Sequence, residues 1–158
     1  MAEYDGKSQY RKAAARRLKD AQELLQPPSI EPNAQGADTR HLRAAMYLAG
    51  YSVECILKVY IISKIASASE FAEAIEERRN AGEHISNILG AEGHNLITLL
   101  SLTDLEARFT DDERKKDWSL CVKWKSTWRY DPQPPKATDA SQIVAAIERI
   151  YRWVEKQV

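Results

Sequence analysis

Leu42 to Ile62, LRAAMYLAGYSVECILKVYII, is the stretch on which the fold turns. Leu42, Met46, Ala49, Val53, Ile56 and Tyr60 recur at steps of three and four, which places them on one face of an α-helix. Leu48, Tyr51, Cys55, Leu57 and Ile61 make much of the remaining circumference apolar, so this helix is expected to be enclosed on several sides. Gly50 costs about 1 kcal/mol relative to alanine inside a helix, and its presence predicts the close approach of another helix backbone.

Against that background Arg43, Tyr47, Glu54 and Lys58 form a polar line at helical spacing. Glu54 and Lys58 are an i,i+4 pair with the acid on the favoured N-terminal side. A charged pair on a buried helix is costly unless it is satisfied internally or faces water. It is therefore either a structural ion pair or the lining of a groove or subunit interface.

Working outward, residues 4–26 are predicted to form a first helix, with Tyr10, Ala14, Leu18, Ala21 and Leu25 facing inward. Arg11, Lys12, Arg16, Arg17 and Lys19 crowd its outer side, as a solvated face or as a strip for phosphates. Pro27, Pro28 and Pro32 stop that helix, a polar surface loop follows, and Asp38 can cap the central helix. Beyond Ile65, Ser67–Arg79 opens on a Ser-x-x-Glu box and predicts a short, mostly exposed helix that Gly82 weakens. Residues 80–93 are expected to be loop with one turn near 85–89. Gly93 and His94 open a compact helix with Leu96, Leu99 and Leu100 inward.

Thr103-x-x-Glu106 and Thr110-x-x-Glu113 spell further capping boxes. The second predicts a helix of about 17 residues bearing Trp118, Cys121, Val122 and Trp128, with Trp124 on an adjoining face, and stopping at Tyr130-Asp131-Pro132. Asp139 is expected to cap a last helix whose stripe is Ile143, Ile147, Ile150 and Val154. No alternating strand pattern and no internal repeat occurs. The expected fold is all-α: an antiparallel up-and-down bundle of four long helices plus short ones, in a single domain over residues 1–158. Residues 1–38 supply its first helix and proline-rich loop.

The chain has 158 residues, enough for one core without disulfide or metal. Its 23 basic and 23 acidic residues cancel, so nucleic acid could be bound only at a local patch. Cys55 and Cys121 lie in apolar helical surroundings without a CxxC partner, as expected of a reduced cytoplasmic protein. The longest apolar run, interrupted by Glu54 and Lys58, is expected to be too mixed to span a bilayer. No phosphate-cradling glycine loop, HExxH, Gly-x-Ser-x-Gly or cysteine cluster occurs, so neither a metal nor another cofactor is expected. Trp118, Trp124, Trp128 and Trp153 are either core or platforms for bases.

Three pieces together carry a family resemblance: YLAGYSVECILK in the central helix, with Tyr51 to Lys58 its most specific part; Gly93-His94-Asn95-Leu96 at the start of a later helix; and Trp128-Arg129-Tyr130. Over residues 39–158 the chain resembles the HEPN domain family of bacteria and archaea. The resemblance implies an antiparallel helical bundle that usually dimerises. It also implies a role in RNA cleavage, toxin–antitoxin pairs or phage defence, or as a companion of nucleotidyltransferases. The family's nucleases carry an arginine followed four to six residues later by a histidine. Arg129 stands at the corresponding place and is followed by Tyr-Asp-Pro-Gln-Pro-Pro-Lys, with no histidine. Arg79-Asn-Ala-Gly-Glu-His84 spells the motif, but it precedes His94 in the chain.

Metal-independent RNA cleavage needs a base for the 2′-hydroxyl, an acid for the leaving oxygen and a cation for the phosphate. The candidates are Arg129, His94, Glu54 and Lys58, expected to meet in one pocket, with Arg79 and His84 as the other possible pair. Tyr130, Arg43, Tyr47, Arg16 and Arg17 are candidates for holding RNA or another ligand. Two classes stay open. One is a dimeric HEPN-type ribonuclease or RNA-binding protein; the other is a non-catalytic module binding a nucleotide or a partner protein, such as a cognate antitoxin or a nucleotidyltransferase.

Overall fold

The first helix, α1 (Lys7–Leu25), lies against α2 (Arg40–Ser63), the helix that the apolar stretch foretells, and α2 in turn packs on α6 (Ala137–Glu155). Between them come α3 (Phe71–Asn80), α4 (Leu96–Ser101) and α5 (Asp112–Cys121), with 3₁₀ turns at Ala91–His94, Glu106–Arg108 and Ser126–Tyr130. This computed structural model describes residues 6–26, 40–65, 67–85, 91–133 and 135–158. Among them there is no strand, only an isolated bridge between Gly6 and Glu70. All-helical character is therefore as expected. The proline-rich loop, Asp38 and most of the turn near 85–89 lie outside the described residues.

α2 is central because hardly any of it reaches water. Ala45, Met46, Ala49, Val53, Ile56, Leu57, Val59, Tyr60, Ile61 and Ile62 are all buried. Its length and apolarity are enough to cross a membrane, contrary to the expectation from Glu54 and Lys58, and 83% of its most apolar window is buried inside the protein, as in the core helix of a globular domain. Ala14, Leu18 and Ala21 of α1 and Ile143, Ile147, Ile150 and Val154 of α6 close over it, which are the stripes read from the sequence.

The tryptophan-rich helix is shorter than expected, so among the described residues three helices are long: α1 with 19 residues, α2 with 24 and α6 with 19. α5 has 10 and stops at Cys121. There the ladder tightens: Val122 N–H still reaches the Trp118 carbonyl, but Lys123 and Trp124 reach back only three residues, to Leu120 and Cys121. The chain turns and sets the Trp124 indole on α2, where its Nε1–H donates to the Tyr47 carbonyl at 3.0 Å. That contact explains Gly50. A Cβ there would lie 2.1 Å from Trp124 Cδ1, so the close approach is by an indole ring and not by a helix backbone.

The helix starts also moved. Glu70, not Ser67, begins α3 and forms the capping box with Glu73, while Phe71, Ala74 and Ile75 bury a whole face of a helix expected to be mostly exposed. Asp111 caps α5 in place of Thr110, accepting from Arg114 N–H. The Thr103 hydroxyl accepts from Leu105 N–H and donates to the Leu100 carbonyl, making a turn and no box with Glu106. α6 begins after Lys136, which leaves Asp139 inside its first turn, where its charge still complements the helix dipole.

Candidate functional site

Glu54 is wholly buried on α2, and a carboxylate in that position must be compensated. Lys58, one turn on, puts Nζ 2.8 Å from Glu54 Oε1. The second partner comes from elsewhere: His94 Nδ1 lies 3.1 Å from both Glu54 oxygens. Lys58 is itself 7% exposed, and its ammonium also sits 5.3 Å from the Tyr10 ring centre and 5.2 Å from that of Phe71. One acid thus holds two bases, while α1 and α3 wall off the lysine.

His94 reaches that acid because of its local sequence. It ends the 3₁₀ turn Ala91–His94, Gly93 beside it is buried, and Asn95 then caps α4 by accepting from Ile97 N–H at 3.0 Å and Thr98 N–H at 3.3 Å. Leu96, Leu99 and Leu100 nail α4 to the core, as expected. An ionised carboxylate only accepts, so Nδ1 carries the hydrogen, and in the neutral ring Nε2 is left as the acceptor. The His94 side chain is 46% exposed and forms one edge of a cleft of about 350 Å³. Leu96 and Ile97, which follow His94 in the chain, line the cleft as well, together with Trp124, Lys125, Ser126 and Thr127 from the segment after α5.

The expected foursome is therefore three. Glu54, Lys58 and His94 converge; Arg129 does not join them. It is exposed at the end of the Ser126–Tyr130 turn, its guanidinium 4.7 Å from the Tyr130 ring centre, and the Tyr130 and Tyr47 hydroxyls raise its already high pKa. Tyr130 is 73% exposed. Arg43 binds the segment after that turn: its guanidinium covers Trp128 at 5.2 Å and bonds the Gln133 carbonyl at 2.6 Å and Asp131 at 3.1 Å. Tyr47 stacks between Tyr51 and Trp124. Arg43 and Tyr47 thus serve to dock one segment on another. Trp118 and Trp153, both partly buried, pack on Phe109 at the margin of the core.

Arg16 and Arg17 both pair with Asp20, at 2.9 and 3.6 Å, on the solvated side of α1. Arg79, in the last turn of α3, pairs with Glu76 at 3.8 Å, and His84 is exposed beyond Gly82, whose φ of 90° makes the turn. Neither lines the His94 cleft. Arg78 is the anchored arginine of that segment, bonded to the Leu102 carbonyl and to Glu83.

Sequence reasoning missed Lys125, Ser126, Thr127 and Ile97, because the expected long helix hid the turn that presents the first three. The signal for α4 was present in Asn95, a strong N-cap residue directly after Gly-His. Also missed was a fork between Arg149 of α6 and the buried Asp117 of α5, at 2.6 and 2.7 Å. Among the described residues no group of His, Cys, Asp and Glu is placed to hold a metal ion. Burial pushes the Cys55 thiol up to about 12 and the Cys121 thiol upward as well, so neither suits nucleophilic chemistry near neutrality.

In chemical terms the site is an imidazole oriented by a buried carboxylate, with a cation behind the acid and a small cleft in front. Comparison with family models, with curated proteins and with solved structures finds no match.

Proposed function

We propose that the chain is a HEPN-type helical module that acts on RNA without a metal ion, at the cleft edged by His94. The observation that carries this reading is the Glu54–His94 contact: a buried carboxylate fixes one ring nitrogen of a half-exposed histidine and leaves the other as a proton acceptor at a cleft. In that role His94 takes the proton of a 2′-hydroxyl, the 2′-oxygen attacks the adjoining phosphorus, and the bond to the 5′-oxygen breaks, that oxygen gaining its proton from water. Lys125 supplies positive charge across the cleft. The family assignment, the antiparallel bundle, a homodimer, a cytoplasmic location and a toxin–antitoxin or phage-defence setting belong to the same reading and rest on the resemblance of residues 39–158.

A second reading is favoured by the position of Arg129, which stands apart from Glu54 and has no histidine after it. On that reading the chain binds a nucleotide or a partner such as a nucleotidyltransferase or an antitoxin, and performs no chemistry. Incubation with end-labelled RNA in EDTA separates the two. The first reading expects cleavage that His94→Ala abolishes and His84→Ala leaves intact. Binding without cleavage selects the second, and loss of cleavage in His84→Ala alone returns the chemistry to Arg79 and His84.

A further inference from the structure

The cleft and the exposed Arg129–Tyr130 pair are parts of one wall. In a 3₁₀ helix side chains three apart eclipse, with a rise of about 6 Å per turn. Ser126 and Thr127 line the cleft at the start of the Ser126–Tyr130 turn, so Arg129 and Tyr130 stand one turn further along the same two rows. Lys125 is exposed and, among the described residues, in no ion pair, and none of the cleft's described lining residues is acidic. The nearest carboxylate along the chain, Asp131, is already engaged by Arg43 at 3.1 Å. Ile97 of α4, which also lines the cleft, is 59% exposed; with Tyr130 it makes up the large hydrophobic side chains exposed among the described residues. The cleft, at about 350 Å³, is at the small end of ligand sites and suits a single nucleotide unit. A longer strand that follows the Ser126–Tyr130 turn out of the cleft passes Tyr130.

We propose that this wall is a subsite for unpaired RNA. One nucleotide lies in the cleft beside His94, and the neighbouring base stacks on the Tyr130 ring, with Lys125 and Arg129 on the intervening phosphates. The ligand is single-stranded RNA more than one nucleotide long, since a ring offers a face only to a base that is not held in a duplex. This inference rests on the RNA reading above and adds to it the strand type, its direction of exit and the residues that hold it.

The test is fluorescence anisotropy with a short single-stranded RNA carrying 2′-O-methyl groups, so that binding is read without cleavage. Its duplex and adenosine monophosphate serve as comparisons. The expected result is single strand bound at least about tenfold more tightly than either, a difference of about 1.4 kcal/mol. Tyr130→Ala should weaken the single strand at least about fivefold, as loss of a stacked base does, while Tyr130→Phe binds as the parent. Lys125→Ala should lower the slope of log affinity against log salt by about one. Binding of RNA with equal affinity for the duplex, or without any effect of Tyr130→Ala, overturns the inference and leaves the RNA reading standing. Failure of every RNA to bind overturns both. A change of sedimentation in Tyr130→Ala, with RNA affinity unchanged, marks the wall as a protein contact and also overturns it. Tyr130 and Lys125 are exposed, so thermal melting of each variant should match the parent.

Discussion

The Trp124 indole occupies the space where a side chain at Gly50 would begin, 2.1 Å from the position of a Cβ, and it is tied there by a 3.0 Å bond to the Tyr47 carbonyl. Alanine at an open helix position is worth about 1 kcal/mol over glycine, whereas pushing a methyl into a buried ring costs about 1–3 kcal/mol. The ring is 5% exposed, bonded through Nε1 and stacked on Tyr47, so the second effect wins. A separation of 2.1 Å is a severe overlap, so the upper part of that range, about 2–3 kcal/mol, applies, and Gly50→Ala should lower stability by the difference, about 1–2 kcal/mol, in urea unfolding. In a Trp124→Ala background the same change should be neutral or stabilising. A neutral Gly50→Ala in the parent would mean that the indole is not seated on α2.

Glu54 differs from its partners in what its loss leaves behind. Glu54→Ala strands the Lys58 ammonium, which is almost fully buried between Tyr10 and Phe71, and should cost about 3–5 kcal/mol. Lys58→Met leaves the carboxylate its His94 partner and fills the same volume, so it should cost clearly less. Arg129→Ala removes a solvated side chain and should leave the melting temperature where it was. Differential scanning calorimetry on the three variants gives the ranking, and a costly Arg129→Ala would place that guanidinium back among the buried groups.

That ranking shows where the sequence was legible. The apolar stripes of α1, α2 and α6 repeat for several turns, and burial of a stripe is decided by period alone, so Leu18, Val53 and Ile147 fell on the core side as expected. The meeting of Glu54, Lys58 and His94 was legible for the same reason: each is polar among apolar neighbours and has little else to pair with. Arg129 broke that logic because it sits in a 3₁₀ turn after α5 and not on a continued α-helix. Trp118, Cys121, Val122 and Trp128 fit a continued helix by spacing, yet the anchorage of Trp124 on Gly50 ends it at Cys121, and tertiary contact overrode local period. The cleft wall Lys125–Thr127 exists only because of that break. The capping boxes failed more locally, since Asp111 adjoins Thr110 and outcompetes it for the same free N–H groups.

Between α5 and α6 the fork of Arg149 on Asp117 joins a buried acid to a half-exposed guanidinium. Solvent already screens the arginine, so the full value of a buried pair does not apply. Arg149→Ala should cost about 1–3 kcal/mol, chiefly because the Asp117 carboxylate is left without its donors. Asp117→Asn should cost less, since an amide oxygen still accepts from the fork. Chemical denaturation of both variants checks the order, and an Arg149→Ala protein as stable as the parent would make the fork dispensable.

Alkaline pH should unfold the protein through groups that are protonated in the core. Burial is the main cause for Tyr51 and Tyr151, each raised from 10.0 to about 12, and for Cys55, raised from 9.0 to about 12; the Glu54 and Glu155 carboxylates add to it. Tyr60 is raised in the same sense, by burial and then by its bond to Asp104. A folded pKa above the unfolded one stabilises the protonated side. The contribution is therefore fully present below pH 9 and is lost as pH rises from 9 through 12, because the unfolded chain releases these protons first. Urea midpoints should hold steady from pH 7 to about 9 and then fall continuously. Cys55→Ala should flatten the onset of that fall near pH 9, where the free thiol begins to ionise, while tyrosine absorbance at 295 nm should rise together with the loss of helical circular dichroism. All seven tyrosines ionising with midpoints near 10 in a still-helical protein would show that Tyr51 and Tyr151 are open to solvent and would defeat this account.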